Sequence, residues 1–248
     1  MNQDNPHCSS RLALYLSAVH PCAYLESLDA RTLFVDPEAR IDGHLYQSLI
    51  DQGFRRSGAQ IYRPACRDCA DCIPVRLPVR AFQPDRSQRR HWKRNISDVT
   101  CVAAPATFRL EHFALYRRYL AHRHADGRMA EDATEENYRR FLVDPWGGLT
   151  RFIELRLDGQ LVGVAITDQL ERGLSAVYTF FDPDLPQRGL GVFSVLSQIE
   201  IARQQGLDYL YLGYWVKASR KMAYKARFRP IEAWNGHQWK RFEHLGVL

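Results

Sequence analysis

The chain has 248 residues, of which 46% are hydrophobic and 25% charged, and its formal net charge is +6 at neutral pH. This is the balance of a globular protein with enough chain for one large domain or two modest ones. No uncharged apolar run approaches the roughly 18 residues of a spanning helix, and Met1 to Arg11 has no apolar stretch of the signal-peptide kind, so a cytoplasmic location is expected.

The first hundred residues are rich in Pro, Cys and Arg, with only short periodic segments. Between Arg55 and Arg94 stand eleven Lys or Arg against three acids, Asp68, Asp71 and Asp85. Such an excess suits a polyanion, because each cation that neutralises a phosphate releases condensed counterions. A solvated basic face is the plainer alternative. The six cysteines, without a secretion signal, argue for free thiols or a metal site over a disulfide scaffold. Cys66, Cys69 and Cys72 have the spacing of metal ligands, and Cys22 would be the fourth thiolate for zinc or an iron–sulfur cluster. Reduced structural cysteines are the simpler expectation, with Cys8 and Cys101 incidental. A change of character near Val99 divides the chain into a smaller basic, Cys-containing N-terminal domain, residues 1–99, and a second domain, residues 100–248.

Beyond that boundary, helix and strand patterns alternate. Phe108 to His122 has a helical period, and Thr134 precedes two glutamates as the N-cap of a helix reaching Leu142. Arg151 to Leu157 alternates, Asp158-Gly159 is a hairpin turn signal, and Leu161 to Thr167 and Leu174 to Phe181 continue in the same style, which predicts an antiparallel three-stranded meander. Pro186 to Gly191 then leads into a helix from Val192 to Gln205, closed by Gly206, and Asp208 to Tyr214 returns as a strand. A last basic run, Lys217, Arg220, Lys221, Lys225, Arg227 and Arg229, contains no acid and is interleaved with Tyr214, Trp215, Tyr224 and Phe228. Rings and guanidinium planes of this kind stack on unpaired bases.

Strands, a Gly-rich turn, a helix and another strand form an order that resembles the GNAT acyltransferase core, with Arg188-Gly189-Leu190-Gly191 similar to its Arg-Gly-x-Gly acyl-donor loop. The expected fold is therefore α+β: a GNAT-like acyltransferase core of mainly antiparallel sheet with helices, plus the smaller N-terminal domain. The resemblance implies a loop whose backbone N–H groups and helix N-terminus face anionic phosphate.

A more specific resemblance rests on seven motifs in order from His20 to Ile231. They are His20-Pro-Cys-Ala-Tyr-Leu25, Gly53-Phe-Arg-Arg-Ser-Gly58, Tyr62-Arg-Pro-Ala-Cys66 with Cys69 and Cys72, Gln88-Arg-Arg90 with Lys93-Arg94-Asn95, His124-Ala-Asp-Gly127, Ser175 to Pro183, and Tyr211-Leu-Gly-Tyr-Trp215 with Lys221 to Lys225. Together they resemble the tRNA-dependent arginyl/leucyl transferases that act on protein N-termini, and within them the short bacterial leucyl subgroup. The resemblance implies transfer of leucine from Leu-tRNA to the N-terminal Asp or Glu of acceptor proteins, marking them for N-degron degradation. Arginyl transfer is the alternative. An acetyl-CoA-dependent N-acetyltransferase and a non-catalytic RNA-binding protein are more remote.

The chemistry would be attack by a protein α-amine on an aminoacyl ester, which needs positioning and oxyanion stabilisation but neither a covalent intermediate nor a cofactor. An acidic N-terminal residue calls for a guanidinium, so Arg55, Arg56 and Arg63, beside Tyr62, are expected to bind it. Tyr178 and Asp182 are candidates for orienting the amine or relaying its proton. Arg89, Arg90, Lys93 and Arg94 are expected to track the tRNA backbone, and Lys221, Tyr224 and Lys225 to hold its acceptor end. The resemblance implies a Cys-x-x-Cys in larger eukaryotic relatives where this chain has Cys22 and Leu25, a departure that argues against an inherited cluster.

Overall fold

The computed structural model describes residues 12–123, 132–143 and 148–245. The chain opens with β1 (Leu14–Leu16), a short pair made by β2 (His20–Pro21) and β3 (Asp29–Ala30), β4 (Thr32–Val35), and helix α1 (Gly43–Asp51). Asp42 caps α1 by accepting from the Leu45 amide, the usual role of Asp before an apolar helical period. Then come β5 (Arg55–Ser57) and β6 (Gln60–Pro64), which complete a small antiparallel sheet in the order β1-β4-β6-β5. One face of it packs Val35 and Ile61 against Tyr46, Leu49 and Ile50 of α1.

The large sheet contains β7 (Ile73–Pro78), β8 (Val99–Pro105), β9 (Thr150–Leu157), β10 (Gln160–Gln169), β11 (Gly173–Phe181), β12 (Tyr209–Trp215), β13 (Ile231–Trp234) and β14 (Trp239–Phe242). Its order is β14-β13-β7-β12-β11-β10-β9-β8, and every pair is antiparallel except β11 with β12. Helix α2 (Arg86–Asn95) begins with a capping box between Asp85 and Gln88. It packs on α5 (Leu190–Gln204), with the Trp92 and Phe193 rings 5.4 Å apart. On the other side of the sheet α3 (Leu110–Arg123) and α4 (Glu135–Tyr138), which continues as a π-turn over Arg139–Val143, build an aromatic core of Tyr116, Tyr138 and Phe180.

The expected meander, the helix after Gly189 and the returning strand are all present, and the core is α+β and GNAT-like. The turn at Asp158-Gly159 has positive φ at both residues, and the Thr134 hydroxyl caps α4 through the Asn137 amide. The change near Val99 does not separate two bodies in the sheet. Strand β7, from the N-terminal half, lies between β12 and β13, because its Val75 and Leu77 are needed to fill the core beneath α5. No helix among the described residues is long and apolar enough to cross a membrane.

Candidate functional site

Strands β11 and β12 pair over Gly173↔Tyr209, Leu174↔Leu210 and Ser175↔Tyr211, and then part. Both are irregular at that point: the register of β11 on β10 shifts at Ile166/Thr167, and that of β12 on β7 shifts at Tyr211/Gly213. An extra residue in one strand bends it and interrupts its ladder. Carbonyls freed inside a protein must find other donors, and here two basic side chains supply them. Arg55 Nη2 donates to Val177 O at 2.5 Å, and Lys225 Nζ donates to Tyr214 O. Arg55 thus reaches from β5 of the small sheet into the parting of the large one.

Gly213 has φ of +72°, and a Cβ built on it would fall 2.0 Å from Arg55 Nη1, so the strand carries no side chain where the guanidinium lies. Behind it is a cavity of about 20 Å³, bordered by Arg55, Ser175, Tyr211, Gly213 and Tyr214 and large enough for about one water. Tyr62 lies opposite Arg55 in the sheet, its ring 6.1 Å from that of Tyr214, whose one hydroxyl proton is shared between Gly53 O at 3.0 Å and Tyr62 O at 3.2 Å. Burial, reinforced by Tyr62, pushes the Tyr24 hydroxyl up to about 12. Burial, followed by the neighbouring Arg55 charge, holds the Lys225 ammonium well below the ordinary lysine range. Arg55 has no carboxylate partner among the described residues. Its cleft is therefore a cationic spot walled by tyrosines.

The other expected acceptor residues are placed differently. Arg56 points to the opposite face of β5, is 3% exposed, and grips Asp168 through Nε and Nη2, both at 2.6 Å, while Tyr46 and Thr150 bond the same carboxylate. Its charge is spent inside the protein, so Arg56 does not receive an external carboxylate. Arg63 stacks on Phe54, 5.0 Å from the ring centroid. The Tyr178 hydroxyl is buried, with no hydrogen-bond partner among the described residues, and burial raises its pKa far above the ordinary value. It is not open to an incoming amine in this arrangement. Asp182 is held by Arg118 at 2.5 Å and by the Asp184 amide.

Lys225 requires a second correction. At 3% exposure, with its amine turned onto the Tyr214 carbonyl, it cannot reach a tRNA phosphate. Lys221 and Tyr224 remain on the surface. On α2, Arg86, Arg89, Arg90, Lys93 and Arg94 are exposed while Gln88 and Asn95 face inward. Gln88 Nε2 donates to Arg227 O at 3.1 Å, and the Gln83 amide to Arg229 O. These contacts bring Arg227 and Arg229, both exposed, to the start of α2, so the end of the second basic run joins the first on one surface.

The glycine loop does not face open space. The His91 imidazole covers Gly189, whose Cβ would fall 2.3 Å from Nδ1. Asn95 bonds Arg188 O at 2.9 Å, and the Arg188 guanidinium is paired with Asp98 at 2.8 Å. A CoA-type diphosphate on this loop would collide with α2, which corrects the expectation of a phosphate-facing loop.

Cys22, Cys66, Cys69 and Cys72 are free, half-buried thiols grouped around Cys72, with Cys72 near Tyr24 and Cys22 Sγ accepting from the Tyr24 backbone N–H at 3.5 Å. Burial, with the other three cysteines adding to it, pushes Cys72 up to about 12. Four sulfurs about 2.3 Å from a single zinc would lie within roughly 4.6 Å of one another. No three of these come within 4.8 Å, the one such group among the described residues being Glu111, His112 and Glu154, so the thiols as placed do not fit a single ion. The motif His124 to Gly127 and Cys8 lie outside the described residues.

The sequence motifs contain Tyr24, Gly213 and Tyr214 without assigning them to the site, and His91 falls outside them. A glycine inside an aromatic strand is itself a sign of close backbone approach.

Fold and site together define an acyltransferase-type enzyme whose glycine loop is closed by its own basic helix. The description of the N-terminal part of arginine-tRNA-protein transferases matches residues 20–90, and that of the C-terminal part matches residues 111–235. The aspartate/glutamate leucyltransferase of Stenotrophomonas maltophilia (strain K279a) is 50% identical over 239 residues, 94% of each chain. That of Saccharophagus degradans is 47% identical over 234 residues, 94% of this chain and 98% of the relative. Among solved structures, the C-terminal domain of a putative lysylphosphatidylglycerol synthetase from Agrobacterium fabrum is similar with a TM-score of 0.45 at 17% identity, covering 71% of this chain and 53% of that one. The chain belongs to the arginine-tRNA-protein transferase family.

Proposed function

We propose that this protein moves leucine from Leu-tRNA to the N-terminal Asp or Glu of acceptor proteins in the cytoplasm, marking them for N-degron degradation. The observation that carries the reading is Arg55, a guanidinium without a carboxylate partner among the described residues, set in the parting of two strands of an acyltransferase core. The high identity to the leucyltransferases favours leucine over arginine as the donor's amino acid.

In the reaction the acceptor's neutral α-amine attacks the ester carbonyl. A C–N bond forms, the C–O bond to the terminal ribose breaks with its electron pair passing to the ribose oxygen, and the amine's proton ends on that oxygen. An α-amine with a pKa near ~8 is partly neutral at cellular pH, so positioning is the main requirement. Arg55 takes the acceptor's side-chain carboxylate with the donors that Val177 O leaves free. The surface of Arg86, Arg89, Arg90, Lys93, Arg227 and Arg229 takes tRNA phosphates without sequence choice. The reaction requires no metal, and the four thiols pack beside Tyr24 in reduced form.

Mass analysis of a peptide beginning with Asp tests the reading. Incubation with the protein and Leu-tRNA is expected to add one leucine to the N-terminus, and incubation with acetyl-CoA to add nothing. Acetylation without leucylation would overturn it.

A further inference from the structure

Four residues stand in one cross-strand row on the face of the small sheet opposite α1. Tyr15 of β1 is the register partner of Phe34 in β4, Phe34 of Tyr62 in β6, and Tyr62 of Arg55 in β5. Register partners project from the same face. Their chain neighbours Val35, Ile61 and Arg56 are buried on the other face. The row stays partly open: Tyr15 is 55% exposed, and Phe34 and Tyr62 are half-buried. The Phe34 and Tyr62 rings lie 6.2 Å apart, and Tyr214 continues the series 6.1 Å beyond Tyr62.

Packing alone does not account for this arrangement, because three rings left partly in water forgo the burial that makes aromatic residues stabilising. Strands are about 4.8 Å apart, so three rings on neighbouring strands span roughly 10 Å, the reach over which sheet platforms stack two or three unpaired bases. Stacking of this kind needs flat π-faces and little charge, and it ends here at the cation of the cleft. An acceptor protein varies in sequence beyond its first residue and gives a fixed row of rings nothing constant to bind. The single-stranded 3′ end of a tRNA is the same from one donor to the next.

We propose that Tyr15, Phe34 and Tyr62 form the stacking platform for the unpaired 3′ end of the donor tRNA, with the terminal adenosine nearest Arg55 and its ester over the parting of β11 and β12. This rests on the reading that the donor is an aminoacyl-tRNA, and it extends that reading from the phosphates held by α2 to the bases.

The test uses the full chain and a tRNA bearing 2-aminopurine at its 3′-terminal position, whose fluorescence is quenched on stacking. Tyr15→Leu and Phe34→Leu, which keep apolar bulk but lose the ring, are expected to weaken tRNA binding roughly five- to tenfold and to reduce the quenching. Tyr15→Trp is expected to recover what Tyr15→Leu loses. The salt dependence of binding and the KM for an Asp-peptide should be unchanged, which a general loss of structure would not leave intact. If the variants instead raise the peptide KM and bind tRNA as wild type does, the row is an acceptor track and the platform assignment is wrong. Unchanged binding and quenching in both leucine variants would also overturn it. Because the fluorescence reads uncharged tRNA, a donor other than Leu-tRNA would defeat the leucyl assignment without deciding this one.

Discussion

The guanidinium of Arg55 occupies the space that any side chain at position 213 would need, with a Cβ on Gly213 falling 2.0 Å from Nη1. Two residues 158 positions apart are thus fitted to one another, and the fit places a cation where β11 and β12 part.

Replacing Arg55 by Ala is expected to lower kcat/KM for an Asp-peptide roughly ten- to a hundredfold, the range of one or two charge-assisted hydrogen bonds, with little change in the KM for Leu-tRNA. Gly213→Ala should produce a similar kinetic loss by displacing Arg55, and should lower stability by about 1–3 kcal/mol because its φ is in the left-handed region. Initial rates and urea unfolding of the two variants check both statements. A fully active Gly213→Ala protein would contradict the fit.

Arg56 should behave differently from its neighbour. Its bidentate pair with Asp168 is sealed on both sides, and removing one partner of such a pair typically costs about 3–5 kcal/mol. Arg56→Ala is therefore expected to lower the urea midpoint steeply. Whatever protein remains folded should retain its preference for Asp over Ala at the peptide N-terminus. An Arg56→Ala protein of wild-type stability that had lost this preference would return Arg56 to the acceptor pocket.

Charge removal on α2 should act on the donor alone. Arg89→Gln, Arg90→Gln and Lys93→Gln are expected to raise the KM for Leu-tRNA at moderate salt. Each lost phosphate contact should flatten the slope of log affinity against log salt by about 0.7–0.9. Titrating salt in a binding assay measures this. An unchanged slope in all three variants would remove α2 from the tRNA surface.

The buried Lys225 predicts a pH dependence of stability. Burial and Arg55 lower its pKa in the folded protein well below the 10.5 of an exposed lysine. Between the folded and unfolded values the unfolded chain binds a proton that the native protein does not, so the contribution to stability rises with pH, is complete above 10.5, and is lost as pH falls toward the folded value. In Lys225→Met this rise is absent. Wild type should therefore gain stability relative to the variant as the pH is raised from neutral toward about 10. Parallel curves from chemical unfolding at several pH values would contradict the assignment.

The parts legible in the sequence are those set by local pattern. Alternation over Arg151 to Phe181 and the helical period after Gly189 fixed the meander and α5, and the Asp158-Gly159 turn could be read directly. Strand β7 escaped notice because Pro74 and Pro78 make it read as loop, and its partners Tyr209 to Trp215 lie over 130 residues away. Arg55 and Arg56 are adjacent letters in one motif, yet the period of two in a strand sends them to opposite faces, one into a cleft and one into a core. Lys225 looked like one more cation in a basic run. The Tyr214 carbonyl that accepts from it is left without a β11 partner because β12 leaves β11, an event of tertiary structure.

The most direct test offers radiolabelled Leu-tRNA and Arg-tRNA separately to the protein, each with peptides that begin Asp, Glu and Ala and are otherwise identical. Label should pass from Leu-tRNA to the Asp and Glu peptides, with little passing to the Ala peptide or from Arg-tRNA. Efficient transfer from Arg-tRNA alone, or equal transfer from Leu-tRNA to all three peptides, would contradict the account.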